Sequence, residues 1–283
     1  MLSVEHVTKR YGSFTALENI TLTFEKGVYG LLAPNGAGKT TLIKLLATLL
    51  FPTSGTIRWE GEDILAMGAD YRGLVGYLPQ EFGYYKNYTP VQFLEYIAAL
   101  QCVDRRTGKQ RIPELLELVG LSDVKQKKMR TFSGGMLQRV GIAQTMIGDP
   151  KLLILDEPTA GLDPKERVRF RNLIHRLAND RIVILSTHIV SDIETIADQI
   201  VMLRDHQLYC CDKTERVCDV LRGKLFEVPA GADISREMLL LSESQREGRT
   251  ILRIAGETPP PGAVPISPGL EDAFMYIYRD GRI

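Results

Sequence analysis

Ala33-Pro34-Asn35-Gly36-Ala37-Gly38-Lys39-Thr40-Thr41 is the stretch on which the reading of this chain turns. The apolar run 28–32 before it predicts a short buried strand, and the apolar stretch 42–50 after it predicts a buried helix. Strand, glycine loop, Lys-Thr and helix, in that order, form a phosphate-binding arrangement. Gly36 and Gly38 let the backbone turn its N–H groups inward around an anion, and the positive end of the following helix points at the same place. In such a loop Lys39 reaches the β- and γ-phosphates of a nucleotide and Thr40 ligates Mg²⁺. Ala33 stands where the motif usually opens with glycine. Alanine fits if that residue has ordinary strand-end backbone, and is costly only where φ must be positive. The plainer reading is a glycine-rich turn, but the flanking strand and helix supply the context that the phosphate motif requires.

The chain has 283 residues, enough for one large domain or for one plus a small companion. Its 35 basic and 35 acidic residues balance, with no long like-charge block, which argues against non-specific binding to nucleic acid or anionic lipid. A hydrophobic content of 44% and an aromatic content of 7% suit a soluble globular protein. No apolar run nears the roughly 18 residues of a membrane-crossing helix. Residues 1–11 lack the apolar core of a signal peptide. Work at a membrane is therefore expected to go through docking on another chain. Cys102, Cys210, Cys211 and Cys218 form no secreted disulfide framework, and with His206 they match no zinc spacing. Cys210 and Cys211, adjacent in a predicted strand, point to opposite faces. All four read as reduced packing cysteines of a cytosolic protein.

Residues 2–6 and 20–24 alternate apolar with polar as half-buried strands do, with a turn at Tyr11, Gly12 and Ser13 between them. Pro52, Thr53, Ser54 and Gly55 end the helix after the glycine loop; strands are predicted at 56–59 and 74–78, the latter running into Pro79 and Gln80. Thr89-Pro90-Val91-Gln92 opens a helix with threonine cap, early proline and glutamine at the capping-box position. A second helix is expected at 112–119, and Ser133 caps a third. Residues 82–148 thus read as a helical insertion. The continuous apolar run 152–155, ending in Asp156-Glu157, fits a strand buried on both faces of a parallel sheet. Asp163-Pro164-Lys165-Glu166 reads as a capping box, followed by a strand at 182–185 that ends in Ser186-Thr187-His188, a helix at 191–197 and a strand at 200–203. Alternating strands and helices predict an α/β core with a parallel sheet. Beyond residue 223 the pattern predicts strands at 224–228 and 250–254, an ambiguous stretch at 235–241, and a helix at about 269–279 capped by Ser267-Pro268, together a small α+β appendage.

Further candidate groups fall at strand ends, where open α/β sheets place their chemistry. Asp156 suits a Mg²⁺ ligand, and Glu157 suits a carboxylate that orients and polarises an attacking water; the plainer reading is a pair of exposed acids at a turn. His188 can donate a hydrogen bond to a γ-phosphate, or be structural. Gln80 can reach Mg²⁺ or the water, or be a solvated loop residue. Ser133, Gly134 and Gly135 open a helix and offer a second anion site, or simply a cap. A second anion site on an inserted helical region makes sense if it completes the nucleotide site of another copy.

Together these residues resemble the ATP-binding subunit of an ATP-binding-cassette (ABC) transporter over residues 1–222. Ala33 to Thr41 resembles the Walker A loop, so the resemblance assigns Asn35, Gly36, Ala37, Gly38, Lys39, Thr40 and Thr41 to the nucleotide. Tyr11 resembles the aromatic residue that stacks on adenine, Gln80 the Q-loop, and Phe132 to Met136 the signature motif. Leu152 to Asp156 is similar to Walker B with Glu157 as the catalytic carboxylate, Ala160 to Asp163 to the D-loop, and His188 to the H-switch. The implied fold is a P-loop ATPase core with an antiparallel β subdomain, an inserted helical subdomain at about 82–148 and, at 223–283, a C-terminal accessory domain. The resemblance implies ATP and Mg²⁺ held by Thr40, Gln80 and Asp156, with Glu157, His188, Gln80 and Lys39 catalytic. It also implies a head-to-tail dimer, a homodimer, in which Ser133 and Gly135 close the partner's Walker A site. The helical insertion would dock on a transmembrane permease at the cytoplasmic face of the cell membrane. Phe82, Tyr84, Tyr85 and Tyr88 would line the docking groove or serve as ordinary packing. Ala33 for glycine, Phe132 for leucine and Met136 for glutamine depart from the family pattern.

The expected function is an ATPase subunit driving export through a separate permease; the ending Pro268 to Phe274 resembles the branch that handles drugs, antibiotics or lipids. A soluble ATPase acting on DNA or ribosomes is the alternative. It is disfavoured by the absence of a heptad stretch between Walker A and signature, by the single cassette and by the zero net charge. An importer subunit stays open.

Overall fold

The computed structural model describes residues 1–235, 237–246 and 248–279. The chain divides into two compact units, Met1–Cys211 and a second from Asp212 onward.

The first unit begins with β1 (Leu2–Tyr11) and β2 (Phe14–Phe24), an antiparallel hairpin closed at Gly12-Ser13. The chain then enters β3 (Gly27–Leu32), passes the glycine loop and forms α1 (Lys39–Leu46). Next come β4 (Ser54–Trp59), β5 (Glu62–Asp63), the short helices α2 (Ile64–Met67) and α3 (Ala69–Gly73), and β6 (Val75–Leu78). Three helices follow: α4 (Pro90–Leu100), α5 (Arg105–Leu118) and α6 (Gly134–Thr145). The chain returns through β7 (Leu152–Asp156), α7 (Pro164–Leu177), β8 (Ile182–Ser186), α8 (Val190–Ile196), β9 (Gln199–Arg204) and β10 (Gln207–Asp212).

Two sheets result. A four-stranded sheet has the order β2-β1-β4-β5, antiparallel throughout; a six-stranded sheet has the order β10-β9-β3-β8-β7-β6. In the latter β9, β3, β8, β7 and β6 pair in parallel, and every residue of β7 and β8 is buried. Uninterrupted apolar runs form such strands because both faces are covered. Since the strands are parallel, the carboxyl ends of β3, β6, β7 and β8 lie along one edge, and that edge carries the site.

Several element boundaries differ from the sequence expectation. The helix expected over 42–50 is α1, which ends at Leu46 because Thr48 takes a left-handed conformation (φ +56°) and the N–H groups of Leu49 and Leu50 fold back onto the Lys44 carbonyl. The helix expected over 112–119 starts at Arg105, where Asp104 Oδ1 accepts from the N–H groups of Arg106 and Thr107, both at 3.0 Å. Its first turns are polar, so apolar periodicity does not report them. Only half of the Asp163 capping box forms: Asp163 accepts from Glu166 N at 2.8 Å, but the Glu166 carboxylate is turned to Arg139 and Arg169.

The second unit holds α9 (Thr214–Cys218), β11 (Leu225–Pro229), β12 (Leu239–Arg246), β13 (Arg249–Ala255), β14 (Val264–Pro265) and α10 (Leu270–Ile277). Its sheet, β12-β13-β11-β14, is antiparallel and apolar on both sides. Leu221, Leu225, Leu241 and Ala255 form one cluster and Phe226, Val228 and Ile254 another, the alternation expected along strands. The predicted boundary after 222 differs from the observed division after Cys211, because α9 packs on α10 and Leu221 is fully buried in the first of these clusters. The ambiguous stretch 235–241 opens β12; its Arg236 lies outside the described residues, as do 247 and 280–283 of the predicted accessory domain. Gly269, not Ser267, precedes α10, and its N–H donates to Asp272 Oδ2 at 3.0 Å. Pro268 disfavours helical backbone at the residue before it, which moves the helix start along the chain.

Candidate active site

A cavity of about 640 Å³ opens where β3, β6, β7 and β8 end. The glycine loop forms its floor. Gly36 and Gly38 have φ of +84° and +108°, and a Cβ on Gly38 would lie 2.6 Å from the Ala16 carbonyl oxygen, so no side chain fits there. Ala33 is buried and is not among the residues with positive φ, so alanine replaces the usual glycine without strain. Lys39 is only 8% exposed; its Nζ donates to the Ala33 and Pro34 carbonyls, the latter at 3.0 Å. Burial lowers the pKa of this ammonium below its ordinary value, while Glu157 and Asp156 pull it back up. The lysine is thus parked on its own loop, with two acids nearby.

Asp156 ends β7 and is buried; its Oδ1 accepts from Ser186 Oγ, at the end of β8, at 2.6 Å. Glu157 follows in a left-handed conformation (φ +50°), its N–H donating to the Ser186 carbonyl (3.1 Å) and to Ser186 Oγ (3.2 Å). A non-glycine residue rarely holds this backbone, and here neighbouring strands impose it. The turn aims the Glu157 carboxylate at His188, whose Nδ1 lies 2.8 Å from Glu157 Oε2. The pair is satisfied by the tautomer protonated at Nδ1, which donates to the carboxylate. Thr40 and Gln80 complete the polar wall. The rim comes from the β1–β2 hairpin, where Tyr11 and Phe14 are direct register partners and both are exposed.

The cavity brings together Tyr11, Asn35, Gly36, Gly38, Lys39, Thr40, Thr41, Gln80, Asp156, Glu157 and His188. It leaves out Ala37, whose N–H donates to the Pro34 carbonyl at 3.3 Å within the loop, and it leaves out Ser133 and Gly135. Ser133 caps α6, its Oγ accepting from Met136 N at 3.2 Å. Sequence reading missed Phe14 and Ala16, which line the cavity. The signal for Phe14 was its place across a two-residue turn from Tyr11, since opposed residues share a sheet face. In the aromatic stretch after Gln80, the Phe82 ring would come within 2.9 Å of a Cβ on Gly141 and so packs against α6. Tyr85 and Tyr88 are exposed and lie ring to ring at 4.8 Å.

The site thus pairs a basic, amide-rich floor with an acidic wall. Thr40, Gln80 and Asp156 offer hydroxyl, amide and carboxylate oxygens, a hard donor set suited to Mg²⁺. Among the described residues no cluster of three or more His, Cys, Asp or Glu side chains could hold a metal by itself. No helix of the described residues is long and apolar enough to cross a membrane.

Comparison with known proteins agrees with this geometry. The family model of the ABC transporter matches residues 17–160. The chain is 40% identical over 209 residues to the ABC transporter ATP-binding protein YxlF of Bacillus subtilis (strain 168), covering 74% of this chain and 69% of that protein. It is 38% identical over 211 residues to the bacitracin transport ATP-binding protein BcrA of Enterococcus faecalis, covering 74% of this chain and 68% of the relative. Across four curated relatives the matched share of the relative runs from 59% to 69%. A solved ATP-binding subunit of an ABC transporter aligns with a TM-score of 0.69 at 27% identity, over 78% of this chain and 92% of that one. The chain belongs to the ABC transporter family, as an ATP-binding and ATP-hydrolysing cassette.

Proposed function

We propose that this cassette is the ATPase subunit of an exporter, paired head-to-tail with a second copy of itself and docked on a separate membrane-spanning permease from the cytoplasmic side. The observation that carries the pairing is the split of the predicted nucleotide groups: the floor and acidic wall share one cavity, whereas Ser133 and Gly135 lie outside it. A second copy would supply those groups. Export follows the bacitracin-transport relative and the ending Pro268 to Phe274. Tyr85 and Tyr88, exposed on the helical insertion, are the surface offered to the permease.

In this reading adenine lies against Tyr11 and Phe14, and the triphosphate enters the loop between Gly36 and Thr41. Lys39 exchanges the Ala33 and Pro34 carbonyls for phosphate oxygens. Mg²⁺, held by Thr40, Gln80 and Asp156, would offset the phosphate charge. Glu157 accepts a hydrogen bond from the attacking water and aligns it with the γ-phosphorus, and His188 keeps the carboxylate in place. Affinity capture of the full-length chain from its native membranes tests the assignment: recovery of a polytopic membrane protein supports it, and recovery of ribosomes or DNA overturns it.

A further inference from the structure

Glu166 and Arg167 are neighbours in the first turn of α7 and engage different elements. Glu166 serves the signature side. Its Oε2 lies 3.4 Å from Arg139 Nε, its Oε1 2.6 Å from Arg169 Nη1, and a Cβ on Gly135 would come within 2.8 Å of Glu166 Cγ. Arg139 continues the connection, donating from Nη1 to the Val119 and Gly120 carbonyls at 3.3 and 3.4 Å, just beyond α5. Arg167 serves the hydrolytic side. Its Nε donates to the Leu162 carbonyl at 3.2 Å, and its Nη1 lies 3.5 Å from Asp192 Oδ1. Asp192 sits in the first turn of α8, which directly follows the His188 loop, and His188 holds Glu157 at 2.8 Å. None of Arg139, Glu166, Arg167 and Asp192 lines the cavity.

The Asp192 end is only partly engaged. Its Oδ2 is buried and has no hydrogen-bond partner among the described residues, and its Oδ1 makes only the long pair with Arg167. An unpaired buried carboxylate oxygen is costly, and an approach of α8 toward Arg167 would let the guanidinium take both oxygens at once. The structure holds the one-sided arrangement, and a bidentate one would be the second discrete state that energetic coupling between loops requires. A second orphan, the buried Thr159 Oγ1 between Glu157 and Leu162, marks the same segment as incompletely satisfied.

We propose that Glu166 and Arg167 are positioning residues that couple the His188 loop to the Ser133–Gly135 loop, so that the state of one nucleotide cavity sets the loop presented to the other subunit. This rests on the head-to-tail reading. Glu157→Gln with ATP, followed by light scattering, tests that reading alone: absence of an ATP-dependent dimer overturns it and the coupling with it. Where the dimer forms, Asp192→Asn and Glu166→Gln, which do not touch each other, are combined in a double-mutant cycle on steady-state ATPase activity. Coupling requires each single change to lower kcat roughly five- to tenfold with KM for ATP within about twofold, and the double variant to fall no further than the worse single. Wild-type kcat, additive losses, or a lowered Tm with unchanged kcat overturns the coupling and leaves the dimer standing.

Discussion

Glu157 holds a left-handed backbone at φ +50° while accepting from His188 Nδ1, so two neighbouring strands fix the direction of one carboxylate. Removing its charge without changing its shape isolates its role. Glu157→Gln is expected to lower phosphate release on the order of a hundredfold or more, with the ATP dissociation constant within about threefold, because glutamine cannot serve as a base and Lys39 still meets the phosphates. Single-turnover phosphate release beside equilibrium dialysis reads both; wild-type turnover would overturn the catalytic assignment. Ala33 is the opposite case, a departure from the motif with no structural consequence. Its backbone has no positive φ, so the freedom of glycine is not needed there.

At the scale of elements, Asp149 ties the helical insertion to the sheet. Its Oδ1 lies 2.9 Å from Arg111 Nη2 of α5 and 2.9 Å from Arg181 Nη2, next to β8, with Lys151 Nζ 3.5 Å from Oδ2. Burial pushes the Asp149 carboxyl up, but the guanidinium of Arg111, with Lys151 and Arg181, more than reverses it, so the group titrates below its ordinary 3.8. A carboxylate whose folded pKa is depressed adds stability that is present above the unfolded value and is lost as pH falls through the folded one. Asp149→Asn, which tolerates the same left-handed backbone (φ +53°), is therefore expected to melt about 2–4 °C below wild type at neutral pH. The gap should close as pH falls below the carboxylate range. Calorimetry across that range decides it; a gap that persists in acid would show that the ion pairs are not its source.

The whole molecule poses the question of where the cassette ends. Leu221 is fully buried among Leu225, Leu241 and Ala255, so a chain cut after residue 222 would strand α9 and its apolar side chains without partners. A chain ending at Cys211 keeps every cavity residue and exposes none of that cluster. We expect the 1–211 form to stay monodisperse and to bind a fluorescent ATP analogue within about threefold of the full chain, while the 1–222 form aggregates. Equal solubility of both would argue against this division.

The phosphate loop, the strand ends carrying Gln80, Asp156 and His188, and the Ser133 cap were legible because each depends on a local rule: a glycine where φ must be positive, a polar residue ending an apolar run, a hydroxyl preceding a helix. The start of α5 and the end of α1 were not, since a polar first turn carries no apolar period and a left-handed threonine has no reliable sequence signature. Sequence by itself therefore determined the family of chemistry and most of the groups that line the cavity. Only the tertiary structure decided that Phe14 joins Tyr11 on the rim, that the Glu166 carboxylate leaves its own helix end for Arg139, and that Asp192 keeps an unpaired oxygen facing a half-made ion pair. Those outcomes depend on strand register and on residues distant along the chain, and no local pattern encodes which distant partner reaches a buried charge first.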